Sequence, residues 1–335
     1  MTSQRLGLTI PLESLPIPET VIPLARLAES LGYTDLWSAE VSGTDGLTPL
    51  AAAAAVTESL RFGTAILPVF TRPPALMAMG AASLQAISGG RFVLGIGTSS
   101  SIIVGRWMGE EFSRPLTRIR ETVAFLRDAL EGKKMDVDAN GFNVHGFRLT
   151  AETGAKVPIY IAGLGPKMLR LAGQIADGVI LFLFTPDGVR SALEQVRAGA
   201  EDVGRDVSEI DVVARIPVAV DEDDEFLRFM LRRLTTNYAI VDVYNASLTR
   251  QGFGDPAESI SKLWQSGERD KAAAAVTDEM LEGLYLFGSA EDVRNGIEGF
   301  REAGIKTPVL FPLSVAGDPA ERLDRVKKTI EVLAP

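Results

Sequence analysis

A run of small polar residues follows one of the most apolar strands that the sequence predicts. The strand Arg91–Ile96 leads directly into Gly97, Thr98, Ser99 and Ser100. Hydroxyl and backbone N–H groups this close together can donate hydrogen bonds to phosphate oxygens, and glycine lets the backbone approach them closely. This loop therefore predicts a phosphate site that needs no metal ion, although a polar turn between a strand and a helix would look similar.

A second loop of this kind follows the next predicted strand. Gly163, Leu164 and Gly165 come after that strand, and Pro166 and Lys167 begin a helix. A helix N-terminus presents unpaired N–H groups and the positive end of the helix dipole, so it attracts an anion. Lys167, in the first turn, could reach the same anion. A tight turn without a ligand remains the alternative, but two such loops after consecutive strands support each other.

The carboxylate most suited to catalysis is that of Glu40, which follows the second predicted strand. At a strand end it could act as an acid, a base or a hydrogen-bond acceptor, or it could simply pair with an arginine. The apolar residues at 65–70 would form a wall for a flat ring, and Arg72 beyond them could reach an acidic tail. Core packing would explain the same apolar residues equally well.

Composition excludes several kinds of chemistry. The chain has no cysteine and a single histidine, His145, so thiol catalysis, iron–sulfur ligation, zinc sites and Ser-His-Asp hydrolysis are not expected. We interpret His145 as a structural or surface residue. The acidic run at 221–225 is interpreted as the first turn of a helix, where negative charge is favourable. No metal site is predicted.

The net charge of −10 argues against binding to nucleic acids or to anionic membranes. It also means that an anionic cofactor must be held by local donors. No stretch of about 18 apolar residues predicts a membrane span, and the start of the chain lacks the apolar run of a signal peptide. We therefore expect a cytoplasmic protein that acts on a small molecule.

Short apolar strands alternate with amphipathic helices along nearly the whole chain. Eight strands are predicted, at Arg5–Ile10, Asp35–Ser38, Arg61–Ile66, Arg91–Ile96, Val157–Ala162, Gly178–Leu183, Ile210–Ala214 and Thr307–Phe311. Continuous apolar strands are typical of parallel sheets that are buried on both faces. Eight right-handed βα units favour an α/β fold of the (β/α)8 TIM-barrel type, as one domain over residues 1–335. A doubly wound open sheet is the alternative.

Two regions depart from this alternation. Residues 133–147 predict a β-hairpin, with Asn140 and Gly141 as its turn. Residues from about 221 to 285 contain several short helical patterns and predict a helical insertion near strand seven, which would cover the mouth of the barrel. In TIM barrels the active site lies at the carboxyl ends of the strands, where both polar loops are expected.

Several motifs, in this order, resemble the luciferase-like monooxygenase superfamily and, within it, the actinobacterial branch of coenzyme F420-dependent oxidoreductases. The matching segments span nearly the whole chain and are GYTDLWSAE, LRFGTAILPVFTRPP, SGGRFVLGIGTSS, GRWMGEEFSRPLTRIRE, VPIYIAGLGPKMLRLAGQIADGVIL and REAGIKTPVLF. The resemblance implies an enzyme with a TIM barrel and an insertion near strand seven. It also implies a homodimer.

The resemblance further implies where the cofactor, coenzyme F420, would lie. Its deazaflavin ring would lie across the barrel mouth, against a non-proline cis peptide bond between Ala65 and Ile66. The residues that would hold its phosphate are Thr98, Ser99, Ser100, Gly163, Leu164 and Gly165, with Lys167 beside them. The cations that its anionic tail could pass are Arg72, Arg106, Lys167 and Arg170. FMN is the alternative cofactor.

One departure from the family pattern concerns proton transfer. Members that oxidise sugar phosphates have a histidine after the acidic residue of the second strand and a glutamate after the fourth, whereas Val41 and Ser100 stand at those places here. Alcohol oxidation of that kind is therefore not expected. We predict hydride transfer between the deazaflavin C5 and an activated C=C, C=N or C=O bond, with water or Glu40 as the proton donor.

The substrate would lie over the ring, beneath the insertion. The aromatic residues that could contact it are Trp107, Tyr238 and Tyr244. Two alternative functions remain open at this point: an FMN-dependent luciferase-like monooxygenase, and a barrel that binds a flavin or deazaflavin without catalysis.

Overall fold

The computed structural model describes residues 4–11 and 15–335. Residues 1–3 and 12–14, which belong to the segment considered for a signal peptide, lie outside the described residues. The strands are Gly7–Thr9 (β1), Asp35–Ser38 (β2), Arg61–Thr64 (β3), Leu67–Pro68 (β4), Phe92–Gly97 (β5), Lys134–Asp138 (β6), Asn143–Arg148 (β7), Ile159–Ala162 (β8), Gly178–Phe182 (β9), Asp211–Val220 (β10), Leu286–Gly288 (β11) and Thr307–Pro312 (β12).

The α-helices are Ile17–Ser30 (α1), Thr48–Ala54 (α2), Pro74–Ile87 (α3), Pro115–Leu130 (α4), Pro166–Ile175 (α5), Pro186–Asp202 (α6), Asp224–Ala239 (α7), Asp242–Leu248 (α8), Gly254–Gln265 (α9), Arg269–Ala274 (α10), Asp278–Leu284 (α11), Ala290–Glu302 (α12) and Pro319–Val332 (α13). Short π-helical segments occupy Ile102–Trp107 and Thr249–Phe253, and a 3₁₀ turn occupies Val207–Glu209. Many helices begin at a proline, which suits the first turn because it needs no N–H donor there.

Eight strands form a closed parallel barrel. They pair in the order β1, β2, β3, β5, β8, β9, β10 and β12, and β12 pairs in turn with β1. The predicted TIM barrel is therefore confirmed, and the open doubly wound sheet is excluded because the last barrel strand closes on the first. Each barrel strand is nearly or fully buried, as continuous apolar strands require.

The structure differs from the prediction at the seventh barrel strand. The sequence predicts an end at Ala214, but β10 continues to Val220 and is buried throughout. Arg215 and Pro217 interrupt the apolar run, yet packing inside the barrel keeps the strand extended. The short strands β4 and β11, which the sequence did not predict, add to the sheet at the carboxyl ends of β5 and β10.

A polar cluster closes the amino-terminal end of the barrel interior. Arg61 pairs with Asp35 and with Asp211, at 3.0 Å from its Nη1 to Asp211 Oδ2. The Tyr160 hydroxyl donates to the same carboxylate oxygen at 2.6 Å, and Arg5 donates to both oxygens of Asp211. Each of these buried charges therefore has a partner, without which its burial would be costly.

An apolar layer lies above this cluster. Its members are Trp37, Val93, Tyr160, Ile180, Val213 and Val309, each at most 4% exposed. Ala65, Ile66 and Ala162 pack against this layer from the carboxyl-terminal side and are partly exposed. The interior is therefore filled at one end and open at the end where TIM-barrel active sites lie.

The Asp211 carboxylate should make the stability of the fold depend on pH. Burial alone would raise the pKa of Asp211, but hydrogen bonds from Arg5 and Tyr160 and the charge of Arg61 outweigh it and lower the pKa to about 2. Because this value lies below that of the unfolded chain, the stabilisation is complete above about pH 4 and is lost as the pH falls towards 2. The shift corresponds to about 2 kcal/mol.

Urea unfolding at pH 6 and at pH 2.5 measures this effect. We expect Asp211→Asn to lose at least about 2 kcal/mol of unfolding free energy at pH 6 and clearly less at pH 2.5. The variant Asp270→Asn, at a fully solvated position, is the control and should change little. An equal loss for Asp211→Asn at both pH values would contradict the assignment.

The segment from α7 to α11 is a helical insertion with a small core of its own. Leu227, Leu231, Ile260 and Met280 are buried in a cluster that also contains Leu183, at the end of β9, and Ala219, near the end of β10. The insertion therefore packs on the carboxyl ends of β9 and β10. This confirms the predicted helical insertion near strand seven.

The acidic run at 221–225 does begin a helix, with one difference from the prediction. Asp223 caps α7 by accepting a hydrogen bond from Phe226 N at 2.8 Å. The Glu222 side chain, however, is only 1% exposed and lies 3.0 Å from Arg325. It ties the end of β10 to α13 instead of facing solvent.

The predicted hairpin is confirmed as the antiparallel pair β6 and β7. His145 lies on it, is 59% exposed and pairs with Asp138 at 3.2 Å, which agrees with a surface role. Within residues 4–11 and 15–335, no group of three or more His, Asp or Glu side chains could hold a metal ion. No helix in this part of the chain is both long and apolar enough to cross a membrane.

Candidate active site

Two polar loops meet at the open end of the barrel. The Ser loop (residues 97–101) follows β5 and the Gly loop (residues 163–165) follows β8. These strands are parallel neighbours, with Leu94 opposite Ile159 and Ile96 opposite Ile161. Parallel neighbours end at the same rim, so the two loops lie side by side there.

Unpaired backbone donors occur in both loops. Within the described chain, the N–H groups of Ser99, Ser100, Leu164 and Gly165 have no hydrogen-bond acceptor. The Gly163 N–H differs, because it donates to Ile180 O at 3.3 Å. The Gly loop thus offers two free amides, not three, in front of the N-terminus of α5, which no side chain caps. This arrangement suits an anion.

The Ser loop is shaped by its backbone as well as by its side chains. Ser99 has a φ of +58°, in the left-handed region that non-glycine residues rarely adopt. The Ser100 hydroxyl accepts a hydrogen bond from Ile103 N at 3.3 Å and is largely buried, whereas Thr98 and Ser99 are partly exposed. Thr98 and Ser99 are therefore the side chains of this loop that a ligand can reach.

A shallow apolar floor lies beside the two loops. It consists of Ala65 and Ile66, joined by a non-proline cis peptide bond, together with Gly97 and Ala162. The predicted position of this cis bond is confirmed. A Cβ atom added to Gly97 would lie 2.9 Å from Ile66 Cγ1 and 3.5 Å from Ala162 Cβ. These residues are thus in mutual contact, and we call them the ring seat.

Glu40 lies at the same rim and is engaged by an arginine. Its carboxylate accepts from Arg72 Nη2 at 2.5 Å and Nε at 2.9 Å, and from Gly46 N at 2.8 Å. The hydrogen bonds that Arg72 donates to Glu40 raise the pKa of Arg72. The Glu40 carboxylate is thus already engaged by three N–H donors. Its role as a catalytic acid stays a prediction.

The four predicted cations differ in whether an ion pair already engages them. Lys167 is exposed in the first turn of α5, next to the Gly loop, and Arg106 is exposed on the π-helical segment after the Ser loop. Arg170 lies one turn further along α5 and pairs with Asp202 on α6 at 2.5 Å. Arg72 is paired with Glu40. Lys167 and Arg106 are thus the predicted cations that no described ion pair engages.

Sequence reasoning missed Arg250 of the insertion. Its Nη2 donates to Leu164 O at 3.0 Å, which brings a cation to the Gly loop from 86 residues away. The neighbouring Gln251 accepts from Thr185 N at 2.7 Å and donates to Leu183 O at 3.1 Å. These contacts fasten the insertion to the barrel rim. No local sequence signal marks them, because they depend on the path of the insertion.

Sequence reasoning also missed Arg215, which lies inside the barrel mouth. It is two residues beyond Val213 of the interior layer and so faces the same way. Its guanidinium lies 4.0 Å from the Phe311 ring centre, and its Nε donates to Thr9 Oγ1 at 3.3 Å. A charged residue within an apolar strand was the available signal.

Aromatic side chains surround this arginine. Phe182 lies 5.2 Å from the Arg215 guanidinium and 5.3 Å from the ring of Tyr238. Tyr238 in turn contacts Tyr244, at 4.9 Å between ring centres. Of the predicted substrate contacts, these two tyrosines therefore lie at the mouth, while Trp107 is 55% exposed on the rim.

Comparison with known proteins gives a consistent picture. Residues 7–307 match the family model described as luciferase-like monooxygenase. A 5,10-methylenetetrahydromethanopterin reductase of Methanolobus tindarius is 30% identical over 285 residues, which cover 84% of this chain and 86% of that protein. A Mycobacterium tuberculosis protein named as a coenzyme F420-dependent oxidoreductase is 27% identical over 332 residues, covering 91% of this chain and 94% of that protein.

A solved structure shares the fold over the whole length. The coenzyme F420-dependent tetrahydromethanopterin reductase of Methanopyrus kandleri superposes with a TM-score of 0.80 at 24% identity, covering 98% of this chain and 97% of that chain. At this identity the likeness bears on the barrel and its insertion.

Proposed function

The chain belongs to the luciferase-like monooxygenase family, and on that premise we propose that it is a coenzyme F420-dependent oxidoreductase. It transfers a hydride between the deazaflavin C5 and a small organic substrate with an activated C=C, C=N or C=O bond. Relatives that align over most of the chain carry names that state F420 dependence or methylenetetrahydromethanopterin reduction. The observation that carries the proposal is the meeting of the Ser loop, the Gly loop and the ring seat at one rim.

The residues at this rim fit such a cofactor. The ring seat is apolar and partly exposed, and a Cβ at Gly97 would crowd it. Ala65 and Ile66 would support the ring. Free donors of both loops would hold the phosphate, from Thr98, Ser99 and Ser100 on one side and from the Gly loop on the other. Lys167 and Arg250 would meet the negative charge beyond it.

When bound, the deazaflavin would supply the hydride chemistry. The protein supplies position and environment. The filled barrel interior below the ring seat excludes water from one face, and the aromatic side chains at the mouth hold the substrate against the other. The substrate gains the hydride from the cofactor and a proton from water, so atoms and charge balance.

The proton donor can be tested at Glu40. We expect Glu40→Gln to lower turnover with reduced F420 by less than about tenfold, because Arg72 and Gly46 N already engage the carboxylate and water donates the proton. A catalytic acid contributes about 10² to 10⁴, so a loss of that size, with the basic limb of the pH profile abolished, would instead establish Glu40 as the donor. Arg72→Gln is the matched control, since it removes the same ion pair from the other side.

Parallel titrations with F420 and FMN, followed by tryptophan quenching, test the cofactor. We expect micromolar affinity for F420 and none for FMN at the same concentrations. The reverse result would establish the FMN-dependent monooxygenase alternative. Tight F420 binding without hydride transfer to any acceptor would favour the non-catalytic barrel. Homodimerisation remains a proposal that sedimentation equilibrium can test.

A further inference from the structure

The Gly loop is fastened at its two ends by the barrel, but its middle is fastened by the insertion. At one end the Gly163 N–H donates to a carbonyl of β9, and at the other the Gly165 carbonyl accepts from the first turn of α5. Between them, the hydrogen bond that the Leu164 carbonyl accepts within the described chain comes from Arg250 Nη2, at 3.0 Å. This arginine therefore decides how the middle of the loop is oriented.

The Leu164–Gly165 peptide carries both this carbonyl and one of the free N–H donors of the loop. The peptide is trans, so its C=O and its N–H point in opposite directions. Glycine at 165 lets the peptide rotate easily, because glycine also adopts the φ values that a flipped peptide requires. A flip would turn the carbonyl oxygen, which repels an anion, towards the phosphate. The hydrogen bond from Arg250 opposes this flip.

Arg250 also brings a charge that no ion pair within the described chain neutralises. Burial lowers the pKa of Arg250, but a guanidinium stays ionised in proteins. A charged donor polarises the peptide to which it is bound, so the N–H of the same peptide becomes a stronger donor. The contact with Leu164 O therefore directs the Gly165 N–H and strengthens it.

The position of Arg250 follows from the contacts of its neighbour Gln251. The Gln251 side chain accepts from Thr185 N at 2.7 Å and donates to Leu183 O at 3.1 Å. Gly188 leaves room for it, because a Cβ there would lie 2.5 Å from Gln251 Oε1. The insertion is therefore docked on the rim at this point, and Arg250 reaches the Gly loop from a fixed base.

We propose that Arg250 is a positioning residue of the cofactor site, and that this site is complete only when the insertion is docked on the barrel. The inference rests on the proposed function, in which the phosphate lies in front of the Gly loop. Arg250 acts on the phosphate through the Leu164–Gly165 peptide, in addition to the charge that it brings. Affinity for the phosphate then depends on a residue that contacts the other side of this peptide.

Two ligands that differ in the phosphate test this role without turnover. Oxidised F420 is compared with the deazaflavin that remains when its phosphate and acidic tail are removed, by fluorescence titration of the full chain. We expect Arg250→Met to weaken F420 binding about tenfold or more, because a charged hydrogen bond is lost, and to change binding of the phosphate-free ligand less than about twofold. Arg250→Lys keeps a charged donor and should recover part of the loss.

Salt separates positioning from simple attraction. Lys167→Met removes an exposed charge beside the same loop. Its effect on F420 binding should nearly vanish in about 0.5 M KCl, where exposed charges are screened. The loss in Arg250→Met should persist there, because it comes from the direction of an N–H group.

The controls separate the possible failures. Arg233→Met removes an exposed cation elsewhere on the insertion and should leave both affinities unchanged. The proposal would be overturned by an Arg250→Met loss that disappears in salt, by one that both ligands share in Arg250→Met and Arg250→Lys, or by no loss at all. Equal affinity of the wild type for the two ligands would overturn it as well. Failure of the wild type to bind F420 would overturn the proposed function instead.

Discussion

Replacement of Gly165 by glutamate is expected to weaken binding of coenzyme F420 about 100-fold and to leave the fold intact. A Cβ at this position meets nothing within 4 Å, and Gly165 has an extended backbone, with φ −100° and ψ 154°. The new carboxylate would stand at the N-terminus of α5, which it stabilises. Two like charges about 5 Å apart repel by about 3 kcal/mol at an effective dielectric constant of 20, and the phosphate would meet that repulsion.

The measurement is a fluorescence titration with F420, accompanied by thermal unfolding. Gly299→Glu on α12 adds the same charge at another open position and is the matched control, for which unchanged affinity is expected. Undiminished affinity in Gly165→Glu would mean that the phosphate lies elsewhere and that the two loops do not form its site. A Gly163 variant is less clear, because a Cβ there would lie 3.0 Å from Leu169.

The second large effect is expected at Gly95, in the middle of β5. A Cβ there would lie 1.8 Å from Thr64 O and 2.6 Å from Ile180 Cδ1. Gly95 also exchanges two hydrogen bonds with the Thr64 side chain, at 2.8 and 2.9 Å. Gly95→Ala must push the end of β3 outward and break these bonds. We expect it to lower the unfolding free energy by about 3 kcal/mol or more.

Urea unfolding measures this loss, and two further variants identify its cause. Thr64→Val removes the hydrogen bonds without the clash and should lose about 1 kcal/mol. Gly299→Ala, in a helix with open space beside it, should be neutral or stabilising. Because Thr64 directly precedes the ring seat, any Gly95→Ala protein that folds should also bind F420 less well. A variant of wild-type stability would show that β3 and β5 are not held together as described.

Much of the fold could be predicted because it depends on local patterns. Apolar runs such as GVILF mark strands that are buried on both faces, and glycine or proline marks where helices begin and end. The end of β10 could not be predicted in this way. Arg215 and Pro217 look like interruptions in the sequence, and only the barrel interior shows that an arginine is accommodated there, on Phe311.

The candidate site could likewise be predicted only where it depends on local sequence. The Ser loop and the Gly loop are continuous segments, so residue types alone indicate an anion site. Glu40 was identified as a rim carboxylate, but its partner could not be chosen, since the contact with Arg72 spans 32 residues. Arg250 comes from a distant part of the chain and no local pattern marks it, whereas for Arg215 the one signal was a charge within an apolar strand, which does not tell what the arginine contacts.

The filled lower half of the barrel has a further consequence for ligand exchange. The polar cluster and the apolar layer fill the amino-terminal end of the barrel interior. Cofactor and substrate must therefore enter and leave by the same opening, on the side of the insertion. Whatever occupies the deeper position must enter first and depart last. Grafting the 221–285 segment of a relative onto this barrel should accordingly change which compounds are admitted, while the hydride donor keeps its place.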